Sequence, residues 1–157
     1  MTLTVNLRDV TWEVTDRMEE FWQHVCQNAW EPYTFAIMDR LLTPKSRFVD
    51  VGAWIGPTAL YAAKKCSTVI GYECDPVALM DLKDNISLNP DCQHHIRVRE
   101  CALGTSNGLL QLHSRNLGDS ETSIFAQHER AQQLLTCPHI ITVGMRDCAE
   151  EFAQEGY

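Results

Sequence analysis

Four residues between Arg47 and Asp75 have the types and the spacing to hold a nucleoside: Asp50, Gly52, Gly56 and Glu73. The run Arg47-Phe48-Val49-Asp50-Val51-Gly52-Ala53-Trp54-Ile55-Gly56 is an apolar segment that ends in an acid and continues into two glycines four positions apart. A second apolar run, Thr68-Val69-Ile70-Gly71-Tyr72, ends in Glu73, 21 positions after Gly52. A glycine turn after a strand lets backbone amides approach a ligand with no side chain in the way. A carboxylate about 20 residues further on is placed to accept hydrogen bonds from both ribose hydroxyls. Asp50, at the strand end, would attract a cationic group or hold a water.

The same spacing says what the ligand lacks. Asp-x-Gly-x-x-x-Gly is wider than the dinucleotide fingerprint Gly-x-Gly-x-x-Gly and has an acid in front of it. A pyrophosphate cradle is not expected, which disfavours a nicotinamide-dependent reductase and favours a nucleoside without phosphates. S-adenosyl-L-methionine fits, because its sulfonium and ammonium charges suit an acidic site. Taken singly, Asp50 and Glu73 could be strand-end acids capping nearby helices, and the glycines ordinary turn residues. All four at this spacing favour the binding site.

The elements that must position these residues follow from the hydrophobic pattern. Leu3–Leu7 and Val10–Thr15 alternate apolar and polar residues, which predicts a β-hairpin turning near Asn6–Asp9. Asp16 is placed to cap a helix whose apolar face holds Met18, Phe21, Trp22, Val25 and Cys26. After a break at Asn28–Pro32, a second helix is expected over Tyr33–Leu42, with Phe35, Ile37, Met38, Leu41 and Leu42 inward. Thr43-Pro44 stops it before the strand that ends at Val51. An amphipathic segment over Pro57–Lys65 links that strand to the next. Asp75-Pro76 then has the cap and first-turn residues of a helix running to about Leu88, buried through Val77, Leu79, Met80, Leu82, Ile86 and Leu88. Strands are expected at Ile96–Glu100, Leu109–Leu112 and His139–Gly144, with a turn at Gly104–Gly108 and a polar loop over Gly118–Ser123. Ala126–Leu135 has helical composition, and another helix starts at Cys148.

Composition narrows the partners. The 157 residues suffice for one domain with a core, and 45% apolar with 22% charged residues is ordinary globular composition. No stretch approaches the roughly 18 uninterrupted apolar residues of a membrane span. Met1–Asn6 lacks the basic region and apolar core of a signal peptide. A soluble, cytoplasmic protein with no membrane partner is the expectation. The net charge of −8 and pI of about 5.1, with scattered positive residues, disfavour nucleic acid. The seven cysteines are odd in number and contain no Cys-x-x-Cys, so free thiols are expected. Cys92/His94 and Cys137/His139 could be drawn as a zinc site, but structural zinc sites use tighter ligand pairs, and no metal is expected. The histidines show no partnered arrangement, and Ser120 and Ser123 carry no nucleophile signature.

Four motifs in order give the stretch a family likeness. Phe48-Val49-Asp50-Val51-Gly52-Ala53-Trp54-Ile55-Gly56, then Tyr72-Glu73-Cys74-Asp75-Pro76, then Leu82-Lys83-Asp84-Asn85-Ile86-Ser87-Leu88-Asn89, then Glu100-Cys101-Ala102-Leu103 before a glycine turn, resemble the FkbM-type family of class I S-adenosylmethionine-dependent methyltransferases. That family shows Asp-x-Gly-Ala-Asn-Ile-Gly, Glu-Pro-Asp-Pro and Leu-x-x-Asn-Ile-x-Leu-Asn at these separations. Trp54 stands where the family has Asn, and Cys74 where it has Pro. The resemblance implies that Asp50, Gly52 and Gly56 line the methionine end together with Ala53 and Trp54. It places the ribose at Glu73 beside Cys74, and the adenine edge along Glu100, Cys101 and Ala102.

The resemblance also implies a boundary. Family members continue into a fourth strand of the type Ile-Lys-Ile-Asp-x-Glu-Gly, which nothing in this sequence matches. The expectation is an α/β, Rossmann-like class I methyltransferase fold, N-terminal part only and C-terminally truncated. It forms one domain over residues 1–157, with a hairpin and two helices over 1–45 and a cofactor-binding βαβαβ half over 46–157. Its function would be methyl transfer to the oxygen of a small-molecule or sugar-like acceptor. No catalytic residue can be named. The alternative is a non-catalytic module that self-associates, as a homodimer through the exposed central strand Phe48–Val51, unless Ile140–Val143 folds back to cover that edge.

Overall fold

The computed structural model describes residues 1–114, 116–118, 120 and 139–157. The protein is mixed α/β, with a hairpin and two three-stranded sheets. The expected helix at Ala126–Leu135, the expected loop residues Ser123 and Glu121, and Cys137 of the drawn zinc pair lie outside the described residues.

The hairpin forms where alternation predicts it. Strands β1 (Thr2–Leu7) and β2 (Val10–Thr15) pair antiparallel from Thr2 against Thr15 to Leu7 against Val10. Their two-residue turn is Arg8-Asp9, with Arg8 at φ 57°. Val5, Leu7, Val10, Trp12 and Val14 face the core. Helix α1 (Glu19–Cys26) packs on the hairpin, but Asp16 does not cap it. A 3-10 turn over Asp16–Met18 intervenes, and the Asp16 carboxylate lies 3.4 Å from the Met1 amino group. Of the five residues expected inward on α1, only Trp22 and Val25 are buried, because the hairpin covers one narrow stripe of a short helix.

Helix α2 (Pro32–Leu41) corrects a second expectation. Phe35 and Met38 are buried, whereas Ile37 is 55% and Leu41 69% exposed. Glu31 precedes Pro32 in the left-handed region at φ 42°, not in the extended conformation usual before a proline, and the helix starts only after it.

Strands β3 (Arg47–Val51), β4 (Thr68–Tyr72) and β5 (Ile96–Arg99) form a parallel sheet in the order β3-β4-β5. Helix α3 (Pro57–Ala63) connects β3 to β4, and α4 (Pro76–Ser87) connects β4 to β5. The α3 segment is not amphipathic in its setting: Pro57, Ala59, Leu60, Tyr61, Ala62 and Ala63 are all buried between sheet and hairpin. Its small alanines are what allow that close approach. Helix α4 is capped as expected, with Asp75 accepting from the Val77 and Ala78 amides, although Met80 is exposed.

The asparagines of the Leu-x-x-Asn-Ile-x-Leu-Asn motif are structural pegs. Asn85 Oδ1 accepts from the Thr15 amide (2.8 Å), and its Nδ2 donates to the Ile55 carbonyl (2.9 Å). Asn89 accepts from the Glu13 amide (2.9 Å) and donates to the Glu13 and Asn85 carbonyls (2.8 Å each). Four residues apart, they lie on one face of the chain end of α4 and satisfy alternate backbone groups along β2. The hairpin is thereby tied to the loop that follows β3.

Strands β6 (Ala102–Gly104), β7 (Gly108–Ser114) and β8 (His139–Asp147) form the second sheet in the order β6-β8-β7. β8 runs parallel to β6 and antiparallel to β7. Ile140–Val143 therefore pairs with β7, not with β3, and among the described residues no strand lies on the outer side of β3. Helix α5 (Cys148–Glu155), capped by Asp147, returns to the first sheet. There Arg47 donates to the Gly156 carbonyl (3.0 Å) and the Glu155 carbonyl, with its guanidinium 4.1 Å from the centre of the Tyr157 ring.

Candidate functional site

The first sheet ends, at its carboxyl edge, in a glycine loop folded back on β4. The Tyr72 carbonyl accepts from the amides of both Gly52 (2.8 Å) and Ala53 (3.0 Å). Gly52 has φ +78° and Trp54, a non-glycine residue, φ +50°. A left-handed conformation at a bulky residue is costly, and it persists only where its surroundings hold it. Here they do: the Trp54 amide donates to Glu73 Oε2 at 2.8 Å. Glu73 Oε1 accepts in turn from the Cys74 (2.7 Å) and Asp75 (2.8 Å) amides.

A closed circuit of hydrogen bonds extends from this point. Asp75 caps α4 with Oδ1 and accepts the Gly118 amide on Oδ2 (2.8 Å). The Gly118 carbonyl accepts from Trp54 Nε1 at 2.7 Å. The Trp54 ring also meets Phe21 edge-on, with centroids 4.6 Å apart. Glycine loop, Glu73, Asp75 and Gly118 thus hold one another. A Cβ on Gly118 would stand 2.7 Å from Val77 Cγ1, so only glycine lets the chain pass here.

Two cavities open on either side of Trp54. The smaller, about 290 Å³, is lined by Glu73, Cys74, Asp75, Cys101, Ala102, Leu103 and Leu112 with Tyr72 and Ala78. The larger, about 440 Å³, is lined by Trp30, Glu31, Thr34, Phe48, Asp50, Ala53, Pro57 and Thr58. Val51, Gly52, Trp54 and Ser120 belong to both. Among the described residues no lysine, arginine or histidine lines either one.

Of the residues singled out in the sequence, Gly52, Trp54, Glu73, Cys74, Cys101 and Ala102 stand on the smaller cavity, and Asp50, Gly52, Ala53 and Trp54 on the larger. Gly56 and Glu100 stand on neither. Gly56 is buried at φ +96°, and a Cβ there would come within 2.8 Å of Leu82 Cδ1, so its task is the close approach of the loop to α4. Glu100 turns outward to Lys83 Nζ at 2.6 Å.

Sequence reasoning missed Trp30, Glu31, Thr58 and the second role of Asp75. Thr58 had a signal, since the first turn of the helix after a glycine loop faces the end of the preceding strand. Its hydroxyl donates to Asp50 Oδ2 at 2.6 Å. Trp30 and Glu31 come from the break before α2 and had none.

The electrostatics of the larger cavity are one-sided. Withdrawal from water pushes the Asp50 carboxyl up to about 6; the Thr58 hydrogen bond opposes the rise, while repulsion from Glu73 and Glu31 adds to it. Among the described residues Asp50 has no cationic partner on the cavity wall. Among the described residues no group of three or more His, Cys, Asp or Glu side chains could hold a metal ion. No described helix is long and apolar enough to cross a membrane.

No protein-family model matches the chain, and no curated protein does. Among solved structures it is similar to the crystal structure of methyltransferase FkbM from Methylobacillus flagellatus KT, with a TM-score of 0.46 and 15% sequence identity over 82% of this chain. The chain spans 31% of that protein's chain. A likeness of that size decides nothing about chemistry, which must come from the two cavities themselves.

Proposed function

We propose that the chain binds S-adenosyl-L-methionine across the glycine loop, with adenosine in the smaller cavity and the methionine end in the larger. The observation that carries this reading is the pairing of two acids, Asp50 and Glu31, with the aromatic rings of Trp30, Phe48 and Trp54 around a cavity that no described basic residue lines. Such a wall suits a sulfonium and an ammonium group, through charge and through the faces of the rings. It repels a pyrophosphate. The loop amides point the same way, because those of Gly52, Ala53 and Trp54 are already bonded to Tyr72 and Glu73.

Glu73 would meet the ribose, with one adjustment to the expected role. A carboxylate offers about four acceptor positions, and three backbone amides occupy Glu73, which leaves room for one hydroxyl rather than two. Ala102, Leu103 and Leu112 supply an apolar slot for the base. When bound, the cofactor supplies an electrophilic methyl group to an acceptor oxygen. The chain's own part is to orient it and to hold its charge, which is catalysis by positioning.

On this reading the domain is the Rossmann-like, cofactor-binding part of an FkbM-type methyltransferase whose acceptor is a small molecule. A cytoplasmic setting accords with the unpaired thiols of Cys26, Cys66, Cys74, Cys92, Cys101 and Cys148. Thermal-shift titration tests the reading. S-adenosylmethionine and its demethylated product should raise the melting temperature saturably while a nicotinamide dinucleotide does not; no response at millimolar ligand would remove it.

The open outer edge of β3, where Val51 is 61% exposed, favours a second reading, self-association of a non-catalytic module through that strand. Sedimentation distinguishes it, since a concentration-independent monomer contradicts pairing at β3.

A further inference from the structure

The parallel register of β4 and β5 sets Tyr72 against Arg99, and the Glu73 amide continues the ladder by donating to the Arg99 carbonyl at 3.1 Å. Cys74 and Cys101 each follow two residues beyond these strand ends, near enough that a charge on Cys101 acts on the Cys74 thiol. Both half-buried thiols stand on the wall of the smaller cavity, and each carries the free sulfhydryl of a reduced cysteine. The two strands they leave run about 4.8 Å apart, a spacing inside the Cα separations that disulfides bridge.

We propose that Cys74 and Cys101 are a modification site: a dithiol that closes to a reversible disulfide across the smaller cavity and so regulates its occupancy. The oxidant class is a small-molecule disulfide such as oxidised glutathione. The Cys101 thiolate attacks one sulfur of the oxidant, forming a mixed disulfide and releasing one glutathione thiolate, which takes up a proton. The Cys74 thiolate then attacks the Cys101 sulfur and releases the second glutathione. The two cysteines together lose two electrons and two protons, and the oxidant gains them.

The surroundings set the rate. Burial, followed by the charges of Glu73 and Asp75, pushes the Cys74 thiol up to about 12; burial and Glu151 raise Cys101, against Arg146 and Arg99. Exchange is therefore slow at neutral pH and faster in alkali, while the second step gains from being intramolecular. Because the adenosine slot of the proposed function is the cavity the bridge would cross, the regulatory half of this inference rests on that reading.

The test treats the intact protein with oxidised glutathione at pH 8.5 and maps its tryptic peptides without reduction. The expected result is a cross-link between the peptide that ends at Lys83 and the peptide that begins at Glu100. The link should persist in Cys66→Ser, which shares the first peptide, and vanish in Cys74→Ser and in Cys101→Ser. A stable glutathione adduct on either cysteine without the cross-link, no reaction, or a link lost in Cys66→Ser would overturn the site. S-adenosylmethionine should bind the bridged protein at least tenfold more weakly than the reduced protein, with recovery after dithiothreitol; equal affinity would overturn the regulation. If the reduced protein binds no S-adenosylmethionine, the proposed function falls, and the peptide map still decides the disulfide.

Discussion

Asp39 and Asp50 are two half-buried aspartates, about a helix length apart in the chain, and the protein treats them in opposite ways. Asp39 sits where the hairpin, α2 and α3 meet, and accepts from Arg8 Nε, from the Tyr61 hydroxyl (2.5 Å) and from Lys65 Nζ (2.8 Å). Burial alone would raise its titration, but Lys65, Tyr61 and Arg8 override that and hold it down at about 2. Asp50 sits on a cavity wall with the Thr58 hydroxyl and the Ala59 amide as donors and two acids for company, and withdrawal from water pushes its carboxyl up to about 6. A half-buried acid that is paired is part of the scaffold. An acid that is largely withdrawn from water, open to a cavity and, among the described residues, unpaired by any cation is the kind of group that marks a candidate binding site.

Glu73 tests where that line falls, because it belongs to both regions. It is buried, it faces the cavity, and it is satisfied by three amides rather than by a cation. Glu73→Ala leaves the Trp54, Cys74 and Asp75 amides without an acceptor, at about 1–3 kcal/mol for each donor that water cannot reach. The expected loss is about 4 kcal/mol in urea unfolding, the largest effect of any substitution considered. A loss below about 1 kcal/mol would mean that the loop does not depend on this carboxylate.

Asp50→Asn should move stability the other way. A carboxyl whose folded titration is raised contributes its stability below the ordinary carboxylate range and loses it as the pH rises through about 6. At pH 7.5 the wild type therefore carries a charge held at a cost of about 3 kcal/mol, which asparagine removes. The variant should be more stable than wild type at pH 7.5, equal to it near pH 4, and should bind S-adenosylmethionine at least tenfold more weakly. Destabilisation at pH 7.5 would put Asp50 in the same class as Asp39.

Asp39→Asn is the counterpart, with the opposite sign. A depressed carboxylate contributes stability above its unfolded value and loses it as the pH falls through about 2. The expected cost at neutral pH is about 2 kcal/mol, vanishing in strong acid, with no change in ligand affinity. Denaturant titrations at pH 7.5 and pH 2.5 measure it.

The same contrast explains what was legible in the sequence. The hairpin, the Asp75-Pro76 helix start and the succession of strands and helices from Arg47 to Arg99 are local patterns, and the structure has each of them. The inward face of α2 was not legible. Ile37 and Leu41 fit the helical period as well as Phe35 and Met38 do, and what selects between them is tertiary: Phe35 meets Tyr61 of α3 and Trp30 ring to ring. Asp16 has a capping residue's chemistry, but the chain spends it on a 3-10 turn. In the site, the glycine loop and Glu73 were visible because one strand-turn-helix-strand unit carries them. Trp30 and Glu31 were invisible, since they arrive from the segment before α2 and reach Asp50 only through tertiary packing. Gly56 and Glu100 show the converse. Each sits at a motif position in the chain, yet one is spent on packing against Leu82 and the other on Lys83. The two motif asparagines, Asn85 and Asn89, turned out to secure the hairpin to α4 rather than to face a ligand.

The central claim is that Asp50 and its neighbours hold a cation while the smaller cavity holds a nucleoside. Calorimetric titration with S-adenosylmethionine at pH 7.5 and at pH 5 tests it most directly. The account predicts saturable binding at pH 7.5 and an affinity reduced about tenfold at pH 5, where Asp50 is mostly protonated and must give up that proton to the buffer when the cationic ligand enters. No heat at millimolar ligand, or an affinity that does not change between the two pH values, would contradict it.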